Sequence, residues 1–320
     1  MLPYVKRLYG VCTIVFDGYN EPSVKDHEHS RREEAVRDHC PDISVKRTGR
    51  VSHKREQFLS NTSNKIQFIK LLADDLQNDG HTIINCIGDA DTQIVKSALD
   101  VVCEGKAVTV IAEDTDILVM LIYFWNTEMS HLFLRSEGTK AHPMKLQCIK
   151  DIVEALEPAV IKNILFIHAW SGCDTTSQTF NHGKTALLQL LNKDKKHHGV
   201  LDVCAVFDNP NASHEMISEA GNKLFIILYG GKKTQNLVTL RKAKIAEMMV
   251  KSKHGLKPEK APPTPDAANL HAYRVFYQVM DWKHLSDTEI KPEEWGWQVQ
   301  NNKLQPIMMK QVKIYFLQTK

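Results

Sequence analysis

Six aspartates fall into four short clusters, each at the end of an apolar run. They are Asp17 in TIVFDGY, Asp89 and Asp91 in NCIGDADT, Asp114 and Asp116 in VIAEDTDIL, and Asp174 in AWSGCDTTS. Carboxylates that converge repel one another unless a cation lies between them. Hard divalent cations such as Mg²⁺ take oxygen ligands from a few carboxylates and complete their shell with water and phosphate. The chemistry that such a set would serve is metal-assisted cleavage of a phosphodiester.

Each cluster also has a plainer reading. An Asp at a helix start caps free N–H groups, which would account for Asp89, Asp114 or Asp174 taken alone. Asp17-Gly18 would serve as a turn dipeptide. The pair Asp114/Asp116, with Glu113 beside it, exceeds what capping needs and is the most specific of the four. Lys25, Arg31 and Arg32 follow Asp17 in a polar stretch. They form either a solvated charged face or a set of cations that stabilise charge on a scissile phosphate. Gly183 and Lys184 open the run KTALLQLL, as an interhelical turn or as backbone donors to a phosphate.

The elements that must position these groups alternate in type. The run VCTIVFD (11–17) is short and β-branched and predicts a buried strand. Residues 57–78 space their apolar positions as a helix, with Asn61 or Ser63 as cap. Strand, helix, strand and helix then follow over 81–88, 90–103, 107–112 and 115–125. This alternation predicts parallel βαβ units and an α/β fold. In such sheets the site lies beyond the carboxyl ends of the strands, where Asp17, Asp89/Asp91 and Asp114/Asp116 all fall. A strand at 131–136, helices at 149–157 and 159–170, and a glycine-bearing loop before a further helix complete this part. Beyond it come a helix across 234–250, a Pro-rich linker (257–266), an aromatic helix (269–282) and a tryptophan-rich tail. Trp282, Trp295 and Trp297 read as core or interface anchors.

Residues 20–56 break the pattern, with charges and histidines replacing long apolar runs. A stretch this long inside a compact domain is functional or unstructured. The pairs His27/His29 and His197/His198 read as solvated loop histidines. Seven scattered cysteines without a CxxC pair argue for reduced thiols in an intracellular protein and against a zinc site. No apolar run approaches the roughly 20 residues that span a bilayer. A net charge of +3 is compatible with a nucleic-acid partner but does not argue for one.

Taken together, these motifs resemble the PIN-like 5′ nuclease superfamily, the group that contains flap endonucleases. The resemblance runs from about Val11 to Leu191. It rests on a strand ending in FDG (Asp17), an acidic-x-acidic helix start (Asp89, Asp91), an E-D-x-D motif (Glu113, Asp114, Asp116), a G-x-D motif (Gly172, Asp174) and the helix–hairpin–helix-like FNHGKTALLQL. The phrases HAWSGCDTTS and PPTPDAANLHAYRVFYQVMDW also look like uncharacterised, mobile-element-associated animal proteins with such a domain.

The resemblance implies a three-layer α/β/α fold with a mainly parallel central sheet, an arch insertion at about 20–56 and a helix–hairpin–helix at about 161–191. The nuclease domain would span 1–195, a helical extension 196–256, and the linker with its aromatic segment 257–320. Two Mg²⁺ or Mn²⁺ ions would be held by Asp17, Asp89, Asp91, Asp114, Asp116 and Asp174. Lys25 and Arg31 would contact the reacting phosphate, while Arg32, Gly183 and Lys184 would grip nucleic acid, DNA in particular, in the nucleus rather than the cytoplasm. Flap endonucleases carry a further Asp on a strand upstream of FDG, and no acidic residue precedes VCTIVFDG here. The reading that follows is an N-terminally incomplete or degenerate member, with activity weakened, or lost so that only a DNA- or protein-binding module remains.

Overall fold

The computed structural model describes residues 2–19, 22–35, 40–138, 143–193, 199–232, 234–251, 257–287 and 290–309. The histidine pair 197/198 and parts of the expected arch (20–21 and 36–39) lie outside them. The described chain is a mixed α/β protein.

Helix α1 (Leu2–Tyr9) leads into β1 (Thr13–Phe16), and α2 (Asp26–Glu34) follows. Next come α3 (Arg55–Ser60), α4 (Thr62–Asn78), β2 (Thr82–Asn85), α5 (Ala90–Cys103), β3 (Val108–Ile111) and α6 (Thr115–Phe124). The single helix expected over 57–78 is two, because Asn61 takes an extended backbone and turns its side chain to cap Asn64 N–H. Strand β4 (Leu132–Ser136) and β5 (Lys145–Cys148) precede α7 (Ile149–Ala155) and α8 (Pro158–Ser171). The rest is largely helical: α9 (Lys184–Lys193), α10 (Val200–Asp208), α11 (His214–Leu228), α12 (Leu237–Lys251) and α13 (Pro265–Lys283), closed by the hairpin β6 (Trp297–Gln300) and β7 (Lys303–Pro306).

The expectation of one mainly parallel central sheet needs correction. β1 pairs with β2 in parallel, Thr13 opposite Thr82. β3 pairs with β4 in parallel, and β4 with β5 antiparallel. These are two separate small sheets among the described residues. Strands of four or five residues offer few ladder hydrogen bonds each, so helix packing carries the layer. Helix α5 touches both β1 and β3 and ties the two sheets together.

The apolar sequence of α8 explains its place at the centre. Every residue from Leu165 to Ser171 is buried, and α8 packs against α6, α9 and α13. Trp170 is fully buried against Phe166, Phe207, Phe225 and His271. Burial of a side chain this large contributes roughly 2–3 kcal/mol. One continuous core runs from Val95 on α5 to Trp295 near the chain's end, across the boundaries expected at 195 and 256. Trp282, Trp295 and Trp297 are all buried. The Pro-rich stretch read as a linker is packed: Arg241 donates to the Pro262 carbonyl, Ala261 is buried, and Thr264 caps α13 with Pro265 in its first turn.

Candidate metal centre

The centre begins with two βα turns of the same local design. After β2, Asp89 takes an extended backbone and its Oδ1 accepts the Asp91 N–H at 3.3 Å, starting α5. After β3, Asp114 does the same for Asp116 N–H at 2.9 Å, starting α6. The first Asp of each pair is therefore a cap. The cap in turn fixes the backbone of the second Asp, in the first turn of the helix, and aims its side chain. One carboxylate oxygen each from Asp91, Asp114 and Asp116 lies within 4.8 Å of the other two. An ion bound at about 2.1 Å spaces its ligand oxygens by about 3–4 Å, so little movement would bring all three onto one cation.

Asp17 stands at the end of β1, and its Oδ1 accepts the Ala90 N–H at 3.1 Å. That bond needs β1 and β2 to end side by side. Gly18 permits it, because a Cβ there would lie 2.1 Å from the Ile87 carbonyl oxygen, and its own N–H bonds the Gly88 carbonyl at 2.8 Å. Asp17, Asp91, Glu113 and Asp114 line a cleft of ≈ 700 Å³, whose far wall is the apolar face of α4 at Phe68, Ile69 and Leu72. Lys65 reaches into this cleft from α4. It bonds Tyr19 Oη and lies 4.5 Å over the Tyr19 ring. Burial lowers the Lys65 ammonium pKa, partly against the charge of Asp17.

The cations at and on α2 divide. Lys25, at the start of α2, places its ammonium on Asp89 Oδ1 at 2.8 Å and on Asp91 Oδ2. Burial would lower its pKa, but the charges of Asp89 and Asp91 outweigh burial and push it upward. Lys25, expected to contact a reacting phosphate, is engaged here with the acids. Arg31, expected to do the same, is engaged elsewhere. Its guanidinium turns outward to Glu28, with two contacts at 2.7 Å, because Glu28 lies one turn back on the same face of α2. Arg32 bridges Glu28 at 2.8 Å and Asp174 at 2.9 Å. Asp174, after α8, is therefore not among the three converging acids, and neither are Asp17 or Asp89. Gly183 and Lys184, at the start of α9, line a small cavity with Ser171, Gly172 and Cys173, and none of the three converging acids lines it.

Several site residues escaped the sequence reading. His168 is buried on α8, and its Nε2 lies 2.6 Å from Asp116 Oδ1. A nitrogen facing an ionised carboxylate must carry the proton, so His168 orients Asp116 as a donor. Trp282 of α13 stacks on this imidazole at 5.6 Å and 29°. The only signal was an imidazole inside the otherwise apolar ILFIHAW. Asp281 was also missed. Burial first, then the charge of Asp89, pushes its carboxyl up to about 7. It is brought there by the end of α13, whose turn bonds α5 through Ser286 Oγ and Thr92 Oγ1 at 2.9 Å. Burial and the charge of Asp89 likewise push Asp91 up to about 7, against the pull of Lys25.

Comparison with protein-family models and with curated proteins finds no match to this chain. No described helix is long and apolar enough to cross a membrane. Three oxygen-only donors from rigid helix starts suit a hard divalent cation rather than zinc or copper.

Proposed function

We propose that the protein is a divalent-metal-dependent nuclease of the PIN-like 5′ type, with Mg²⁺ or Mn²⁺ held by Asp91, Asp114 and Asp116. The supporting observation is the convergence of these three carboxylates from two separate βα turns, with Asp17 and Lys65 on the same cleft. A divalent ion held there would supply Lewis acidity for phosphodiester hydrolysis. The chain's own contributions are to bind, orient and exclude water. His168 fixes Asp116, Lys65 offers a cation to a phosphate in the cleft, and Phe68, Ile69 and Leu72 make the opposite wall dry. The substrate class is nucleic acid, DNA with single-stranded branches in particular, and the setting is intracellular and nuclear.

A second reading, a PIN-like module that binds DNA or a protein without cleaving, draws on a specific feature. Lys25 and Arg32 already pair with Asp89, Asp91 and Asp174. Incubation of the full chain with 5′-labelled flap DNA and Mn²⁺ tests both. The nuclease reading expects product, with Asp114→Asn and Asp116→Asn slower by about 100-fold or more. Unchanged rates in those variants sink it. Salt-dependent DNA binding that ignores Mn²⁺ and yields no product favours the module.

A further inference from the structure

We propose that Lys25 is a built-in second cation: the protein binds one divalent ion, on Asp91, Asp114 and Asp116, while the Lys25 ammonium holds the place between Asp89 and Asp91 that a second ion would take. The inference rests on the metal-centre reading above and revises its stoichiometry from two ions to one.

Three observations carry it. First, the acids outside the converging three each have a fixed donor from the chain: Lys25 on Asp89, Arg32 on Asp174, and the Ala90 N–H on Asp17. Each contact engages one oxygen of its acid, and only on Asp89 is the donor a cation shared with a converging acid, Asp91. Second, the Lys25 contact is not a surface ion pair. The side chains of Lys25, Asp89 and Asp91 are 13%, 19% and 13% exposed. An ammonium so enclosed, with carboxylates on two sides, is held far more firmly than exposed pairs, which are commonly worth little.

Third, the backbone that carries Lys25 is anchored from its far side. Asp26 Oδ2 accepts the Ser23 N–H at 2.9 Å and the Leu304 N–H of β7 at 3.0 Å, and Lys25 N–H bonds Ser23 Oγ at 3.3 Å. These bonds hold the Lys25 backbone in place, so its side chain is presented to Asp89 and Asp91 from a fixed position.

Mn²⁺ binding to the full chain, read from the loss of the free-ion electron paramagnetic resonance signal, tests this without reference to cleavage. Wild type is expected to bind one ion, and Lys25→Met two. Because Lys25→Met leaves buried carboxylates unpaired and could fail to fold, a second arm keeps Lys25 in place. Asp89→Asn should keep one ion with affinity within about threefold, since Asn still caps α5, whereas Asp114→Asn should weaken binding by about 100-fold. Two ions in wild type, one in folded Lys25→Met, or Asp89→Asn as damaging as Asp114→Asn would each overturn the Lys25 assignment and leave the metal centre standing. No ion in either wild type or Lys25→Met would overturn the metal centre itself.

Discussion

The turn after β2 and the turn after β3 use one local grammar and arrive at different electrostatics. In both, the first Asp caps and the second points inward from the first helical turn. Asp91 then meets a fixed ammonium and the charge of Asp89, whereas Asp116 meets the His168 imidazole at 2.6 Å. The comparison teaches that the dipeptide spacing places a carboxylate, while a residue far off in sequence decides what that carboxylate can bind. Lys25 and His168 lie 66 and 52 positions from their partners.

The largest effect is expected on the Asp116 side. His168→Ala removes the donor and the surface on which Trp282 stacks, leaving a buried carboxylate without its partner. Orienting groups of this kind typically change metal affinity by about 10–100-fold, and loss of the buried hydrogen bond costs about 1–3 kcal/mol of stability. Calorimetric titration with Mn²⁺ and a thermal melt measure both. His168→Gln, which keeps an N–H donor, should recover part of the affinity. Equal affinity in wild type and His168→Ala would mean that the two turns are not distinguished by their partners.

A smaller effect separates the turns by pH. Asp91 and Asp281 have carboxyls raised to about 7 from an ordinary 3.8. A carboxyl raised on folding favours the folded state fully below its unfolded value, and that contribution is lost as pH rises through the folded value. The metal-free protein should therefore melt several degrees lower at pH 8 than at pH 5, with the loss falling between about pH 4 and 7. Asp281→Asn should raise the melting point at pH 8 and change it little at pH 5. Mn²⁺ affinity should move the other way, rising as Asp91 loses its proton. A melting point that is flat across this range, or an Asp281→Asn variant with no gain at pH 8, would remove Asp281 from the neighbourhood of the centre.

The two turns were legible because their signals are local: a β-branched run, an Asp, an apolar helix. The same holds for α5, α6, α8 and α13, whose apolar periods are long. What was not legible is what depends on distant partners. Strand β5 (KLQC) is short, half polar and at a sheet edge, so no periodicity marks it. The hairpin β6–β7 left one readable trace, Asn301-Asn302, both at positive φ as a tight hairpin turn requires. His168 and Asp281 looked like exceptions inside apolar helices, and only the packing of α8 against α6 and of α13 against α8 shows their use. Arg31 and Arg32 are adjacent and of one type, yet a single helical step sends one outward and the other to Asp174.

The smallest predicted effect concerns how the C-terminal hairpin serves the Lys25 side. Helix α2 meets β7 through the Asp26 carboxylate on Leu304 N–H, His27 Nδ1 with Gln305 Oε1 at 3.0 Å, and Lys303 Nζ with Ser30 Oγ at 3.1 Å. Charge-assisted bonds to a partly buried backbone N–H are worth about 1.5–3 kcal/mol, while an exposed lysine contact is worth about 0.2–1 kcal/mol. Asp26→Ala should therefore free the start of α2, and Lys303→Ala should hardly affect it. Amide hydrogen exchange over 24–34 is expected to quicken by about tenfold in the first variant and by less than about threefold in the second. If the hairpin positions Lys25, Mn²⁺ binding should also loosen its one-ion limit in Asp26→Ala alone. Equal exchange in both variants would mean that α2 is held by Lys25 and Arg32 without help from β7, and that the aromatic C-terminal segment braces the core but not α2.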